Sequence, residues 1–479
     1  MIHATIGRDI RIRYGDVPKD VLEEIQAALS IKNQAKDQAR REYLDGWEEM
    51  PDTIDMWYRD GPDLVLPRGF YRQFVQGMDA ARLPIWWVDR RSVLPMDSEY
   101  VIELSKINLR EHQEPAVKAM IEYENGIYQA PPGSGKTVTV LEAIRRSRQR
   151  AIILVDKSNI MRQWVDRAQE FLGVPIGTIG DGNFDPGEIT VALKQTLWSR
   201  REELKESGFF DEWGFVAYDE CHHVTAETYQ FVIQQFSARY LIGASATPAR
   251  IPWTFPIAEA LLGRIFHETP RDILIDKGIL AIPEVNVVPT DFEFKFRSSS
   301  VNRGGYRVGN NYAAMMKDLT TNPKRNQQIA SWIASMEGRR QLVVSKRLEQ
   351  FDLIANAVKN YGYADPIYWI TGKESSDERK AVAEFAQENP CLVFSTVADE
   401  ALDIPMLDTI HLVWPTKNVS VVRQQVGRVE RASEGKKQPL VFDYYDHKIG
   451  VLRNQFAQRM RGVYRPEQFP INWPKETNG

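Results

Sequence analysis

Residues 130–137 are Ala-Pro-Pro-Gly-Ser-Gly-Lys-Thr, and this stretch decides the fold of the chain around it. It follows a short apolar segment and leads into a stretch whose composition predicts a helix. Binding a triphosphate requires backbone N–H groups that converge on its oxygens, an ammonium for its terminal phosphates and a hydroxyl for Mg²⁺. Gly133 and Gly135 allow a tight loop, Lys136 supplies the ammonium and Thr137 supplies the hydroxyl. The stretch therefore predicts a phosphate-binding loop, although Ala130 stands where that pattern usually has glycine.

The length and composition of the chain limit the number of domains and the class of protein. A chain of 479 residues is too long for one core, so two or three domains are expected. The composition, 43% hydrophobic and 26% charged, is typical of a soluble globular protein, and the longest apolar runs are too short to span a bilayer. The formal net charge of -4 does not indicate a nucleic-acid binder, so such a partner must be bound through local basic patches.

The cellular compartment is predicted from the cysteines and from the first residues. Cys221 and Cys391 cannot form a disulfide framework, and the charged residues within 1–12 leave no apolar core for a secretory signal. We therefore expect a protein of the reducing cytoplasm.

A second group of chemically active residues follows a predicted strand at 215–218. Asp219 and Glu220 come directly after it. Adjacent carboxylates at a strand end suit a nucleoside triphosphatase, in which one binds Mg²⁺ and the other orients the attacking water. We assign Asp219 to Mg²⁺ and Glu220 to the water. His222 and His223 could instead be zinc ligands, but the sequence offers no complementary pair.

The order of three motifs resembles the first motor domain of superfamily 2 helicases. These are the loop at 130–137, Asp-Glu-Cys-His at 219–222 and Ser-Ala-Thr-Pro at 245–248. That family requires a second motor domain, and the chain has matching strands at 341–345 and 391–396. Residues 400–405 resemble the fifth family motif, with Ala401 where glycine is usual, and residues 424–431 match the sixth.

The sixth motif contains two arginines, Arg428 and Arg431, three residues apart. On a helix this spacing puts both guanidiniums on one face, from which they can reach a γ-phosphate. Residues 277–283 and 322–326 further resemble the XPB-like and phage UvsW-like members of the superfamily.

The resemblance covers about residues 104–450 and implies an α/β fold. We expect two RecA-like parallel-sheet motor domains in tandem, at 104–275 and 276–479, after a small N-terminal α/β domain at 1–103. The implied cofactors are ATP and Mg²⁺, with Arg110 stacking on the adenine and Gln113 hydrogen-bonding to it. The residues expected to contact nucleotide or metal are Arg110, Gln113, Pro132, Gly133, Ser134, Gly135, Lys136, Thr137, Asp219, Glu220, Asp403, Gln424, Arg428 and Arg431.

The activity implied by the resemblance is that of an ATP-driven helicase or translocase on branched DNA, with 3′ to 5′ polarity, in a bacterial or phage-infected cell. Two alternatives remain at this point: a duplex translocase that remodels bound protein without separating strands, and an RNA helicase. The tracking strand is expected to bind loops at the strand ends, mostly through its phosphates. The candidate loops are 157–159, 194–196, 345–347 and 396–398.

The N-terminal domain has no catalytic pattern. Residues 5–14 predict a strand, and Pro18 is expected to open an amphipathic helix. A basic helix face is predicted next, formed by Lys32, Lys36, Arg40 and Arg41. It either contacts branched DNA or is simply solvated.

Residues 291–308 predict a β-hairpin inside the second motor domain. Aromatic and charged residues alternate from Phe292 to Phe296, a turn sequence follows at 298–305, and Tyr306 to Val308 suit a return strand. We interpret the hairpin as a wedge that keeps strands apart, against the alternative of an exposed loop without a role.

Overall fold

The computed structural model describes residues 2–41, 47–103, 105–249, 253–295, 308–371, 373–396 and 404–473. The chain divides into two compact units, Met1–Pro270 and Arg271–Gly479. Among the described residues, no helix combines the length and the apolar character that crossing a bilayer requires.

The first unit begins with a small α/β layer. Its strands are β1 (Ile2–Ile6), β2 (Asp9–Arg13), β3 (Ser30–Lys32), β4 (Thr53–Asp55), β5 (Tyr58–Asp60), β6 (Asp63–Pro67) and β7 (Ile85–Asp89). Its helices are α1 (Lys19–Leu29), α2 (Gln34–Arg41), α3 (Tyr71–Ala80) and α4 (Ser98–Glu103). Five strands described here form a sheet in the order β5-β6-β2-β1-β7, while β3 and β4 pair separately.

Two sequence predictions in this layer need correction. The strand predicted over residues 5–14 is two antiparallel strands, because the chain turns at Gly7 and Arg8. The predicted basic helix face is also broken, since Lys32 belongs to β3 and only the later residues lie on α2. Helix α1 is confirmed, with its apolar residues buried against the sheet.

The first motor domain follows in the same unit. Its strands are β8 (Asn125–Gln129), β9 (Ala151–Val155), β10 (Gly177–Gly180), β11 (Asn183–Asp185), β12 (Ile189–Leu193), β13 (Phe215–Asp219), β14 (Tyr240–Ser245) and β15 (Ile265–Glu268). Its helices are α5 (Glu114–Tyr123), α6 (Lys136–Ser147), α7 (Ser158–Leu172), α8 (Lys194–Ser199), α9 (Arg201–Glu206), α10 (Glu227–Gln235) and α11 (Phe255–Leu262). The sheet order is β11-β10-β12-β9-β13-β14-β8-β15.

The central strands of this sheet are parallel and buried on both faces. Strands β9 and β12 are apolar or β-branched throughout and fully buried, as expected when helices cover both sides of a parallel sheet. The carboxyl ends of β8, β13 and β14 therefore meet at one edge, where the predicted motifs begin.

The second unit contains a second parallel sheet. Its strands are β16 (Glu284–Pro289), β17 (Arg340–Val344), β18 (Ile367–Ile370), β19 (Cys391–Ser395), β20 (Thr409–Leu412), β21 (Leu440–Tyr445) and β22 (Ile471–Asn472). Its helices are α12 (Arg271–Asp276), α13 (Val308–Thr321), α14 (Pro323–Ser335), α15 (Leu348–Asn360), α16 (Ser376–Glu388), α17 (Val419–Glu430) and α18 (Gly450–Arg459). The order is β18-β19-β17-β20-β21-β16-β22. The predicted α/β class with two parallel-sheet motor domains is confirmed.

Of the predicted hairpin at 291–308, the structure describes residues 291–295 and Val308. Residues 291–295 form no strand, and Val308 begins α13 rather than ending a return strand. Asp291 and Glu293 instead pair with Lys448, while Phe292 is buried. The remaining hairpin residues, 296–307, lie outside the described residues, and so does Asp403 of the fifth motif.

The small layer and the first motor domain are joined through Arg68. Its side chain is 2% exposed and donates to the carbonyl oxygens of Ala238 and Arg239, just before β14, and to Asn125 Oδ1 at the start of β8. At Gly69 an added Cβ would lie 2.6 Å from the Ala260 carbonyl oxygen of α11. The two layers therefore pack backbone against backbone at this point.

Candidate nucleotide-binding site

The phosphate loop spans the gap between β8 and α6. Gly133 and Gly135 have φ of 79° and 87°, a left-handed conformation that strongly favours glycine. Ala130 is buried and has no positive φ, so alanine is accommodated where the family pattern has glycine. The Ala130 N–H donates to the Ser245 carbonyl oxygen at 3.1 Å, which ties the loop to the end of β14.

Lys136 and Thr137 stand at the start of α6, where helix N–H groups and the helix dipole favour an anion. The Lys136 ammonium donates to the carbonyl oxygens of Ala130 and Pro131, at 3.0 and 3.3 Å. The ammonium is thus held over the loop, in position to exchange these carbonyls for phosphate oxygens. Pro132 and Ser134 complete the loop, and Ser134 is fully buried.

Two side chains from before α5 support the loop from behind. Gln113 Nε2 lies 3.3 Å from the carbonyl oxygens of both Ser134 and Gly135, and Gln113 Oε1 accepts from the Arg110 N–H. His112 Nε2 also contacts the Ser134 carbonyl oxygen, at 2.9 Å. Gln113 is only 3% exposed, so in this structure it buttresses the loop. Its contact with adenine, and that of the exposed Arg110, stay predictions.

Asp219 is held by a residue that the sequence analysis missed. The Trp164 indole, on α7, donates to Asp219 Oδ2 at 2.7 Å, and the Glu220 N–H donates to Oδ1 at 3.0 Å. Both carboxylate oxygens therefore have a fixed direction. The sequence signalled Trp164 only through its place in the helix predicted after β9. At that place an apolar side chain is expected to face the core.

Glu220 belongs to a network that joins two of the predicted motifs. Glu220 Oε2 lies 3.2 Å from His222 Nδ1 and 3.3 Å from Ser245 Oγ, and those two groups are 3.0 Å apart. Glu220 itself has a φ of 49°, unusual for a residue other than glycine. The Asp-Glu-Cys-His and Ser-Ala-Thr-Pro segments thus each supply a contact to the Glu220 carboxylate, through His222 and Ser245. Their separate positions in the sequence did not indicate this.

The two carboxylates differ in how readily they take up a proton. Burial and the adjacent Glu220 raise the pKa of Asp219 to about 6, against the hydrogen bond from Trp164. Burial acts in the same sense on Glu220, but the hydrogen bond from His222 and the Lys136 charge outweigh it and lower the pKa of Glu220 to about 2. Glu220 is therefore ionised at neutral pH, as orienting an attacking water requires.

The loops at the ends of β9 and β12 were predicted to grip a nucleic acid. Lys194 is not available for this role in the structure, because it is 5% exposed and its ammonium lies 3.2 Å from Asp156 Oδ1. Gln195 is exposed, with its side-chain amide on the Asp156 carbonyl oxygen, and Lys157 is exposed as well. His223 approaches the same Asp156, at 3.5 Å.

In the second unit the sixth-motif residues lie on and after α17. Gln424 and Arg428 are half-buried on this helix. Arg431 is not on it, because α17 ends at Glu430 and Arg431 is extended, with φ of -58° and ψ of 122°. Its backbone pairs with Leu280 instead. The prediction that both arginines share one helix face is therefore wrong for Arg431.

The donor set fits ATP with Mg²⁺. The loop offers left-handed glycines and an ammonium, while Thr137 and Asp219 offer the oxygen ligands that Mg²⁺ prefers. Among the residues that the structure describes, no group of three or more His, Cys, Asp or Glu could hold a metal ion. In proteins Mg²⁺ is commonly bound through one or two carboxylates together with the phosphates of a substrate.

A phosphate loop follows one parallel strand and a carboxylate pair follows another. These two features define the chain as a nucleoside triphosphatase of the phosphate-loop class. Residues 106–250 match the family model described as type III restriction enzyme, res subunit. Residues 324–433 match the helicase conserved C-terminal domain. Together these matches support a superfamily 2 helicase that resembles the XPB-like members.

Individual relatives agree with this assignment. The chain is 28% identical over 399 residues to the probable helicase D10 of Escherichia phage T5, with 81% of each chain covered. It is 25% identical over 361 residues to the DNA 3′-5′ translocase XPB2 of Sulfurisphaera tokodaii, covering 69% of this chain and 80% of the relative. The solved type ISP restriction-modification enzyme LlaBIII shares the fold, with a TM-score of 0.57 at 14% identity over 78% of this chain and 32% of that one.

Proposed function

We propose that this protein is an ATP-dependent DNA helicase or translocase that unwinds or migrates branched DNA, with 3′ to 5′ polarity, in replication, recombination or repair. The observation that carries the motor activity is the convergence of Lys136, Asp219, Glu220 and Ser245 at one sheet edge. The preference for DNA and the polarity rest on similarity to relatives such as the translocase XPB2.

In this proposal each site residue has one task. The loop N–H groups and Lys136 bind the β- and γ-phosphates, while Thr137 and Asp219 hold the Mg²⁺ that neutralises the developing charge. Glu220, kept ionised by His222 and Lys136, orients the attacking water. Arg428 and Arg431 stabilise charge on the γ-phosphate, with Asp403 and Gln424 as further nucleotide contacts.

The hydrogen bonds around Ser245 suggest how hydrolysis is coupled to movement. Ser245 Oγ contacts both His222 and Glu220, and it accepts from the Thr247 N–H at 3.1 Å. A change at Glu220 on hydrolysis is thus transmitted through Ser245 to the loop after β14. Closure and reopening driven by the nucleotide are the usual way in which such motors step.

The nucleic-acid contacts are assigned to exposed groups at the strand ends. In the first unit these are Lys157 and Gln195, and in the second unit they are Lys346 and Arg347, which follow Ser345 after the end of β17. Contacts of this kind bind phosphates and so carry no sequence preference. Lys194 is left out, since it is buried against Asp156.

Recognition of branches by the small N-terminal layer has weaker electrostatic support than its sequence suggested. Acidic residues outnumber Lys and Arg in residues 1–103. Lys32 and Lys36 pair with Asp37 and Asp52, at 2.8 and 2.9 Å. The layer also exposes Trp86, 59% accessible on edge strand β7, which suits stacking on an unpaired base. We therefore assign branch selection to stacking rather than to a basic face.

A panel of substrates tests the proposal. ATP turnover is measured with single-stranded, duplex, forked and four-way-junction DNA and with RNA, and strand displacement is measured on the same labelled substrates. Branched DNA should give the greatest stimulation, accompanied by displacement. Stimulation by plain duplex without displacement would establish a duplex translocase, and a preference for RNA would establish an RNA helicase. Lys136→Ala is the matched inactive control.

A further inference from the structure

Four charged residues of alternating sign form a continuous chain beside α17. Arg423 Nη2 lies 2.7 Å from Glu467 Oε1, Arg271 Nε lies 3.1 Å from Glu467 Oε2, and Arg271 Nη2 lies 2.6 Å from Glu430 Oε1. We call this set, Arg423, Glu467, Arg271 and Glu430, the α17 ion-pair chain. It connects both ends of a two-turn stretch of α17 to the start of α12 and to the C-terminal segment.

Glu430 is the most buried member of this chain. It is 4% exposed, and burial raises its pKa although the Arg271 charge opposes this. Arg271 in turn packs over the Phe469 ring, with its guanidinium carbon 5.0 Å from the ring centroid. A buried carboxylate is retained in its charged form only with a well-placed partner, so Arg271 and Glu430 fix each other's position.

The backbone around Glu430 is held at the same place. The Ala281 N–H donates to the Glu430 carbonyl oxygen at 2.6 Å, and the Ala432 N–H donates to the Ile279 carbonyl oxygen at 3.0 Å. Leu280 and Arg431 lie opposite each other in this antiparallel bridge. Residues 279–281 therefore stop the helix at Glu430 and turn Arg431 into an extended conformation.

Lys436 also holds the backbone of Arg431. Lys436 Nζ donates to the Arg431 carbonyl oxygen at 2.7 Å and to that of Pro405 at 2.9 Å. The backbone of Arg431, and with it the point from which its side chain leaves the chain, is thus set by its neighbours in space, since Arg431 lies outside the regular helix that carries Arg428.

We propose that Glu430 is a positioning residue for the arginine pair: its ion pair with Arg271 fixes the end of α17 and thereby aims Arg431. The proposal rests on the proposed function, in which Arg428 and Arg431 act on the γ-phosphate. Arg271 is the first residue of the second unit, so the same pair makes the segment 271–281 move together with α17.

Glu430→Gln tests this with little change in shape. DNA-stimulated kcat should fall about tenfold, while the KM for ATP changes less than about twofold, because only an interaction made in the transition state is lost. In an Arg431→Ala background the same substitution should lower kcat by no more than about twofold further, since residues that act through one group are non-additive. Thermal unfolding of each variant is recorded in parallel.

Two further variants control for the effects of leaving a lone buried charge and of breaking any buried ion pair. Arg271→Met with Glu430→Met removes the pair without leaving a lone buried charge, so the fold should be kept and kcat should again fall. Asp446→Asn is the matched control, because Asp446 pairs with Arg325 at 2.7 Å and both side chains are buried. Its effect on kcat should be additive with that of Arg431→Ala.

The possible outcomes distinguish the positioning role of Glu430 from the role of the two arginines. If Arg431→Ala lowers kcat but Glu430→Gln and the double methionine variant do not, the positioning role is overturned and the arginine role stands. An additive effect of Glu430→Gln and Arg431→Ala would also overturn the positioning role. If Arg431→Ala and Arg428→Ala both leave kcat unchanged, the arginine role in the proposed function fails, and the positioning role fails with it.

Discussion

Trp164 and Asp219, 55 residues apart in the chain, are joined by an indole-to-carboxylate hydrogen bond of 2.7 Å. Trp164 is 4% exposed on α7 and packs in the core beneath the sheet edge. The bond fixes one oxygen of the carboxylate assigned to Mg²⁺, and the Glu220 N–H fixes the other. The metal ligand is therefore oriented before any nucleotide binds, which reduces the reorganisation needed for catalysis.

Trp164→Phe keeps the aromatic packing and removes only the donor. A hydrogen bond to a charged group contributes about 1.5–3 kcal/mol, so the Mg²⁺ concentration for half-maximal ATP turnover should rise about tenfold or more. Trp213→Phe is the matched control, because Trp213 is fully buried and its indole nitrogen meets no hydrogen-bond acceptor within the part of the chain that the structure describes. An equal Mg²⁺ requirement in wild type and Trp164→Phe would show that the bond is purely structural.

Binding and hydrolysis of ATP should separate at the carboxylate of Glu220. Glu220→Gln should bind ATP normally and hydrolyse it at least about a hundredfold more slowly, since only the orientation of water is lost. Lys136→Ala should abolish turnover because the terminal phosphates lose their cation. Fluorescent-nucleotide binding together with a turnover assay measures both. Wild-type turnover in Glu220→Gln would remove Glu220 from the catalytic role.

Arg428→Ala should depress kcat by about two orders of magnitude or more while changing ATP affinity less, as for a contact made mainly in the transition state. Steady-state kinetics with saturating DNA give kcat, and equilibrium nucleotide binding gives the affinity. Arg453→Ala, which removes an exposed arginine of α18, serves as the control for loss of one surface charge. A kcat equal to that of wild type would remove Arg428 from the catalytic role.

Buried His411 predicts how the stability of the second unit depends on pH. His411 Nδ1 lies 3.0 Å from the Tyr444 hydroxyl and Nε2 lies 3.0 Å from Gln341 Oε1, so a neutral ring satisfies both partners. Burial lowers the pKa of His411 to about 3. The unfolded chain takes up a proton below its ordinary pKa of about 6.5 and the folded chain does not, so stability falls as pH falls from there towards 3.

His411→Gln removes this titration. The variant should be less stable than wild type at pH 7.5, and the difference should shrink by about 2 kcal/mol on lowering the pH to 5. Urea unfolding followed by tryptophan fluorescence at the two pH values measures it. A difference between the two proteins that is independent of pH would mean that the pKa of His411 is the same in the folded and the unfolded chain.

The fold and the first-unit motifs could be predicted because their signals are local. A run such as Ala151–Val155 identifies a buried strand by its composition, and residues 130–137 fix the position of the loop between strand and helix. The carboxyl ends of parallel strands then lie together whatever the details of packing. Lys136, Asp219 and Glu220 follow from this geometry alone.

Partners that come from other elements could not be predicted in the same way. Periodicity shows that Trp164 faces inward but not which group it meets, and it gave no reason to pair Lys194 with Asp156. The end of α17 was also missed. A helix that is terminated by residues 279–281, some 150 positions earlier, carries no stop signal of its own.

The buried contacts of Arg68 bear on how the protein can be cut or recombined. Removing residues 1–103 would leave the carbonyl oxygens of Ala238 and Arg239 without their donor and would expose the surface of α11 that Gly69 covers. A loss of activity after such a truncation would thus report damage at the base of β8 and β14 as much as a lost substrate contact. Exchange of the small layer between related motors would succeed only if Asn125 and the backbone at Gly263 were transferred with it.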